Sequence, residues 1–413
     1  MVARYVTRIV DGLLDELLTS FPAISLVGPR AAGKTTTAMR RAATVLRLDD
    51  PDVRESVAAS PDVMIAGLPE PILLDEWQEV PDVLGAVKRS VDADPAPGRF
   101  ILTGSVRAEL ENRVWPGTGR ILQVPMYGMS VRERMGRSSA KPFIDRIVAE
   151  GVGAVTAPAE SLNVRDYLDL ILEGSFPEPA LRLPGQSRRR WFTGYVDQML
   201  TRDIPAIAPR RDPDLLRRYL SALAINTAGI VADSTLWSAA GVNAKTAQAY
   251  QALLQRMFIL DTVPAWFSNR LKRLMKSPKR YLVDPALVAA VLGLGHDAIL
   301  YGPDMLGRLL DTFVTAQLRA ELATSRVDPR LYHLREEHGR KEIDLILETA
   351  GARIVGIEMK AAGTVSKADA RHLAWLRDEI GEPFVAGIIF HTGPHAFPLG
   401  DRLAAAPVSA LWT

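Results

Sequence analysis

Two groups of residues in this chain have types and spacings suited to chemistry. The first is Gly28-Pro29-Arg30-Ala31-Ala32-Gly33-Lys34-Thr35, continued by Thr36. It fits G-x-x-x-x-G-K-[ST], in which the glycines let successive backbone N–H groups turn inward around phosphate oxygens at the positive end of a helix. Lys34 is then placed to reach the β- and γ-phosphates of a nucleoside triphosphate, and the Thr35 hydroxyl to ligate Mg2+. Some forty residues on, Ile72-Leu73-Leu74-Asp75-Glu76 ends an apolar strand in two carboxylates. Asp75 at such a tip holds Mg2+ directly or through water, and Glu76 orients and deprotonates the attacking water. At the end of a third strand, Arg99 to Ser105, a hydroxyl can sense the γ-phosphate. Ser105 is the first choice and Thr103 the second, with capping of the next helix as the alternative. Arg113 and Arg120 follow, and either could act as an arginine finger on the transferring phosphoryl group, in cis or from a neighbouring subunit.

The second group is Asp344, Glu358 and Lys360. Glu342-Ile343-Asp344 and Glu358-Met359-Lys360 read as strands joined by a hairpin, and residues two apart on a strand point to one face. Two carboxylates there can bind Mg2+ while the lysine stabilises or activates water. Asp311, on the preceding helix, offers a third carboxylate. The order helix, hairpin and Glu-x-Lys resembles the core of PD-(D/E)XK nucleases; the alternative is a solvated hairpin with a cross-strand ion pair.

The elements that must position these groups follow from periodicity. Ala23 to Val27 reads as a buried strand, Thr36 to Leu46 as a helix, and Thr44 to Leu48 as a further strand. With the strands ending at Asp75 and Ser105, this predicts a parallel α/β sheet with nucleotide at its C-terminal edge. Ile9 to Phe21 has the spacing of an amphipathic helix. Loss of periodicity over 136–158 predicts a domain boundary near residue 150. The expected division is a P-loop NTPase domain over 1–150, a helical and winged-helix domain over 151–290, and an α/β restriction-endonuclease-like domain over 291–413. Within the middle part, Ser234 to Ala240, the turn Gly241-Val242-Asn243, and Ala244 to Leu254 suit a helix-turn-helix. Lys245 lies near the start of its second helix, where base contacts are made, although many such units are structural or bind protein. The run from Asn269 to Arg280 holds six basic residues and no acid. Arg270, Lys272, Arg273, Lys276 and Lys279 are therefore candidates for phosphate-backbone contact, against the reading of a solvated face.

The 413 residues carry a net charge of +2, so any nucleic-acid contact must come from local patches. There are no cysteines, which excludes disulfides, thiol catalysis and Cys-ligated zinc and fits a reducing cytoplasm. No apolar run approaches membrane-spanning length, and no membrane partner is expected. DNA through the middle and C-terminal parts and a homo-oligomer are the expected partners; the sequence names no protein partner.

Taken together the chain resembles bacterial and archaeal AAA+-type ATPases that carry a C-terminal domain of unknown function. The resemblance rests on Gly28 to Thr35, Leu74-Asp75-Glu76, Leu102 to Ser105, Gly119-Arg120, Gly174-Ser175-Phe176-Pro177, Tyr195 and Arg202-Asp203. It continues through Lys276 to Lys279, Tyr281 to Asp284, Glu342-Ile343-Asp344 and Glu358-Met359-Lys360, and so covers nearly all of the chain. It implies ATP binding with Mg2+ and hydrolysis, a winged-helix segment and a nuclease-like end. Asp311 departs from it, since similar proteins tend to carry Glu there, and the shorter carboxylate could leave a metal site incomplete. Trp77, directly after the acidic pair, has no role in this reading.

Overall fold

The structure, a computed structural model, describes residues 5–104, 118–158, 162–209, 211–267, 276–336 and 340–413. It divides into two compact units, residues 1–129 with 254–259, and residues 130–253 with 260–413.

In the first unit, β1 (Ala23–Val27), β2 (Thr44–Arg47), β3 (Ile72–Asp75), β4 (Phe100–Gly104) and β5 (Ile121–Pro125) form one sheet in the order β2-β3-β4-β1-β5. Every pairing in it is parallel. β1, β3 and β4 are buried at every position, as strands covered on both faces must be. Residues alternate between two cores. Ile24, Leu26, Leu73 and Ile101 pack toward Val10 and Leu14 of α1 (Val10–Leu18) and Ala38 of α2 (Lys34–Met39). Ile72, Leu74, Phe100 and Leu102 pack with Val83, Leu84 and Val87 of α5 (Val83–Ala93). α3 (Pro51–Ala59) and α4 (Pro61–Ile65) supply Val57 and Ile65 to that second core. Trp77 is 2 % exposed and belongs to it too, so the residue without a sequence rationale is a wedge beneath the turn that follows β3.

The second unit begins with helices. Ser130 and Glu133 form a reciprocal capping box. Two buried contacts bind residues 130–150 to the helix Pro303–Leu322 and the turn after it: Arg132 with Glu321 at 2.8 Å, and the Ser325 hydroxyl with Asp145. These place the parting of contacts at residue 130 rather than near 150. Asp284 caps the helix Pro285–Leu292 and accepts from the Ser175 N–H and hydroxyl, both at 2.6 Å, which ties together two of the segments on which the resemblance rests.

Helices Asp233–Ala240 and Ala244–Arg256 flank Gly241, whose φ of 68° ends the first of them in the left-handed region. Asn243 accepts from the Thr246 N–H at 2.9 Å and starts the second. β6 (Leu260–Val263) and β7 (Lys279–Leu282) pair antiparallel. The second sheet runs β12-β13-β11-β10-β9-β8. Its strands are β8 (Arg330–Glu336), β9 (Lys341–Glu348), β10 (Ile354–Lys360), β11 (Phe384–His391), β12 (Phe397–Gly400) and β13 (Leu403–Pro407). β8, β9 and β10 are antiparallel, β10, β11 and β13 parallel. Trp266 N–H donates to the His333 carbonyl at 2.6 Å and His333 N–H to the Pro264 carbonyl at 3.0 Å, so the segment leaving β6 adds onto the edge of β8. Residues 151–253 and 260–290, expected in a domain apart from 291–413, lie with it in one unit, while 254–259 group with the first.

Candidate functional site

The turn from β1 into α2 is built around two left-handed residues, Ala31 at φ 61° and Gly33 at φ 95°. Such alternation directs consecutive N–H groups into one concavity at the helix N-terminus. Gly28 has a different cause. A Cβ there would stand 2.0 Å from the Met126 carbonyl oxygen, so the loop can leave β1 beside the end of β5 only if this residue has no side chain. Pro29 and Ala32 are buried, while Arg30, Ala31 and Thr36 are exposed.

Lys34 is 5 % exposed, and its Nζ donates to the carbonyls of Gly28 at 3.0 Å and Pro29 at 2.8 Å. Burial lowers its pKa to about 8, against the opposing pull of Glu76 and Asp75. The Thr35 hydroxyl donates to Asp75 Oδ1 at 2.7 Å. β4 lies between β1 and β3, and its register sets Thr103 beside Asp75. The Thr103 hydroxyl donates to the same Oδ1. Glu76 follows in a left-handed conformation, φ 52° and ψ 48°, and the Gln78 amide donates to its Oε2. Gly104 keeps that corner open. A Cβ on it would stand 2.9 Å from both Gln78 Oε1 and Trp77 Nε1. Thr35 and Asp75 are hard oxygen donors meeting at the mouth of the loop, the pair that Mg2+ takes together with phosphate oxygens and water.

One supporting residue escaped the sequence reading. Arg8 is 5 % exposed and its guanidinium donates to the Ala32 carbonyl in the loop and to the Tyr127 carbonyl after β5, each at 2.8 Å. It braces the loop against the strand beside it. The Tyr5 hydroxyl bonds Asp11 and Thr37, fastening the same segment to α2. No spacing announces a lone arginine ahead of an amphipathic helix.

Ser105 and Arg113 lie outside the described residues. Arg120 is described, and it does not face its own chain's loop. It precedes β5, whose first residue pairs with Ala23, whereas the loop leaves the opposite end of β1 after Val27. Five residues at about 3.3 Å each separate the two edges. Its guanidinium pairs instead with Asp92 on α5. A finger acting in cis is thereby corrected for Arg120.

Of the basic candidates, Arg270, Lys272 and Arg273 lie outside the described residues. Lys245 is exposed. Lys276 is exposed beside the Phe267 ring, 6.0 Å from its centroid. Lys279 is corrected: it is 2 % exposed and cannot contact a phosphate backbone. Strand alternation in β7 turns Lys279 and Tyr281 inward together, and both meet Asp311. Lys279 Nζ lies 2.6 Å from Asp311 Oδ2 and 3.0 Å from Asp344 Oδ1, while the Tyr281 hydroxyl donates to Asp311 Oδ1 at 3.0 Å.

Asp311, Asp344, Glu358 and Lys360 line one cavity of about 780 Å³ in the second unit. Asp344 Oδ2 accepts from the Met359 N–H at 3.0 Å, and Lys360 Nζ stands 3.4 Å from Glu358 Oε2. The four side chains share this cavity, but not as a metal centre. Among the described residues no three His, Cys, Asp or Glu side chains group to hold a metal ion. The assignment of Asp311, Asp344 and Glu358 as a ligand set is corrected by Lys279, whose ammonium occupies the space between two of them. Burial alone would lower the Lys279 pKa, but Asp311 and Asp344 hold it well above the ordinary lysine value. Burial pushes Asp311 up to about 6 and Glu358 up to about 7.

The first unit is a parallel α/β sheet of the P-loop ATPase kind, with its loop, hydroxyls and carboxylates gathered at one edge. In sequence, residues 20–135 match the AAA domain family, which supports a nucleotide-binding ATPase domain. Residues 164–298 and 306–411 match two families described as domains of unknown function, DUF8612 and DUF4143. Uncharacterized protein Mb2031c of Mycobacterium bovis and Uncharacterized protein Rv2008c of Mycobacterium tuberculosis are each 28 % identical over 404 residues, covering 97 % of this chain and 83 % of theirs. Among solved structures, the Walker-type ATPase PABY2304 of Pyrococcus abyssi aligns at a TM-score of 0.42 and 14 % identity, over 68 % of this chain and 94 % of its own. The replication initiator DnaA bound to AMPPCP and single-stranded DNA aligns at 0.27 and 12 % identity, over 62 % and 90 %. Among the described residues no helix is long and apolar enough to cross a membrane.

Proposed function

We propose that the first unit binds ATP with Mg2+ and hydrolyses it. The observation that carries this reading is the single Asp75 oxygen shared by the Thr35 and Thr103 hydroxyls at the mouth of the phosphate loop. The loop N–H groups hold the phosphates, and Lys34 exchanges its bonds to the Gly28 and Pro29 carbonyls for phosphate oxygens. The bound cation supplies charge neutralisation on the β- and γ-oxygens. Thr35 and Asp75 hold it, and Thr103 keeps the Asp75 carboxylate turned toward the loop. Glu76 orients the attacking water and accepts its proton, with Gln78 steadying the carboxylate. Hydrolysis by the wild-type chain, lost in Glu76→Gln with ATP binding retained, tests this. Wild-type turnover in that variant would move the base elsewhere.

What hydrolysis drives has two readings. DNA handling through the two-helix segment and the basic run after it is supported by exposed Lys245 and Lys276, with Arg113 or Arg120 acting in trans in a homo-oligomer. A nucleotide-state switch acting on a protein partner, with the second sheet as scaffold, is favoured by Lys279, which fills the place a nuclease would keep for its metal. Turnover measured with and without single- and double-stranded DNA separates them. Stimulation by DNA supports the first, and turnover indifferent to DNA supports the second.

A further inference from the structure

Asp311 and Asp344 reach Lys279 from different elements, a helix and a strand; Lys279 and Asp311 are buried, and Asp344 is partly exposed at the wall of the cavity. The ammonium spends its hydrogens on Asp311 Oδ2 at 2.6 Å and Asp344 Oδ1 at 3.0 Å, with the Asp344 carbonyl at 3.4 Å. Tyr281 and Thr315 complete the shell of Asp311 by donating to its other oxygen at 3.0 and 3.2 Å. A second observation points the same way. Glu358 is 4 % exposed and lines the same cavity, and its Oε1 makes no hydrogen bond among the described residues, with His372 Nδ1 standing 3.9 Å away. Buried carboxylates need cations, and a buried oxygen that makes no hydrogen bond can still accept one.

We propose that this cavity is a divalent-cation site held shut by a tethered cation. The Lys279 ammonium stands where a hard cation would bridge Asp311 and Asp344, so the native chain binds no divalent ion there. With the amine removed, the two carboxylates and water take up one Mg2+ or Mn2+, with Glu358 facing the ion across the cavity. Hard cations are commonly held by one or two carboxylates with waters filling the remaining positions, so two such ligands suffice. The ammonium competes as a tethered occupant, at the high but finite effective concentration of a group held in the same fold. The inference stands on the second unit alone and is independent of ATP hydrolysis.

The test is a Mn2+ titration of the nucleotide-free full chain, read by the loss of free-ion electron paramagnetic resonance signal. Asp75→Asn is carried in every chain so that the phosphate loop contributes no site. The chain with Lys279 intact should show no site that Asp344→Asn removes. Lys279→Met should gain one site, at least about tenfold tighter than any residual binding, and lose it again in Lys279→Met with Asp344→Asn. Removing one partner of a buried ion pair is strongly destabilising, so Lys279→Met can unfold without metal. In that event Mn2+ should restore its circular dichroism and raise its melting temperature, since an ion that binds only the folded form stabilises it. A site in the Lys279 chain that depends on Asp344 would overturn the proposal. So would a folded Lys279→Met chain that binds nothing, or an unfolded one that Mn2+ leaves unfolded.

Discussion

Replacing Thr103 by Val removes one hydroxyl and nearly nothing else. Thr103 is 1 % exposed and sits at the interior of β4, so the isosteric methyl keeps the packing and the strand. What goes is a hydrogen bond to a carboxylate, an interaction worth about 1.5–3 kcal/mol. Asp75 Oδ1 keeps the Thr35 hydroxyl at 2.7 Å, so its desolvation is only partly uncovered and the lower end, about 1.5 kcal/mol, applies. For a domain of this size that corresponds to a fall in melting temperature of roughly 3–6 °C. The kinetic effect should exceed the effect on binding. ATP affinity comes mainly from the loop and Lys34, which Thr103 does not touch, and should stay within about twofold. Turnover depends on an Asp75 carboxylate free to rotate once its second donor is gone, and a loss of about tenfold, or 1.4 kcal/mol of barrier, is expected. Thermal melting of the nucleotide-free protein and steady-state phosphate release measure the two effects. A Thr103→Val chain that melts and turns over like wild type would refute the argument that β4 aims Asp75.

Lys34→Ala should abolish measurable ATP binding with the fold intact, and a folded variant that still binds ATP by calorimetry would remove the phosphate-loop assignment. The same lysine has a pH signature. Its folded pKa, about 8, lies below the ordinary 10.5, so between those values the unfolded chain binds more protons and stability rises with pH. ATP affinity should fall across the same window as the ammonium is lost, and a parallel rise or fall of melting temperature and affinity would contradict this. Gly104→Ala should cost about 1–3 kcal/mol of stability by overpacking against Trp77 and Gln78, and should slow hydrolysis by displacing the amide that steadies Glu76. Unaltered stability and turnover in that variant would show that the corner yields.

The loop, the acidic strand end and the α/β class were legible because their signals are local: fixed spacings, and apolar runs bounded by glycine and proline. Thr103 was legible only as a second choice, since nothing in sequence says that β4 inserts between β1 and β3; the strand order does. The part played by Lys279 was hidden by its neighbours. A stretch with six cations reads as a wet face, and a single residue at the start of a strand can turn inward without altering composition. The cue was the two-residue period that pairs Lys279 with Tyr281, while Arg280 between them faces the other way and pairs with Asp233. The cis role of Arg120 fell for a related reason. Its place before β5 is plain in sequence, but the edge of the sheet it occupies depends on β5 running parallel to β1.

The reach of Lys279 from β7 into the last sheet bears on how this chain can be divided or recombined. A fragment starting after the helix Pro285–Leu292 would inherit Asp311 and Asp344 without their counter-charge, and β8 without the segment that pairs with it at His333. Such a fragment is an open half of a structure rather than a module. Any exchange of C-terminal segments between relatives, in the laboratory or over evolutionary time, has to carry the β6–β7 pair along as part of the same unit of inheritance.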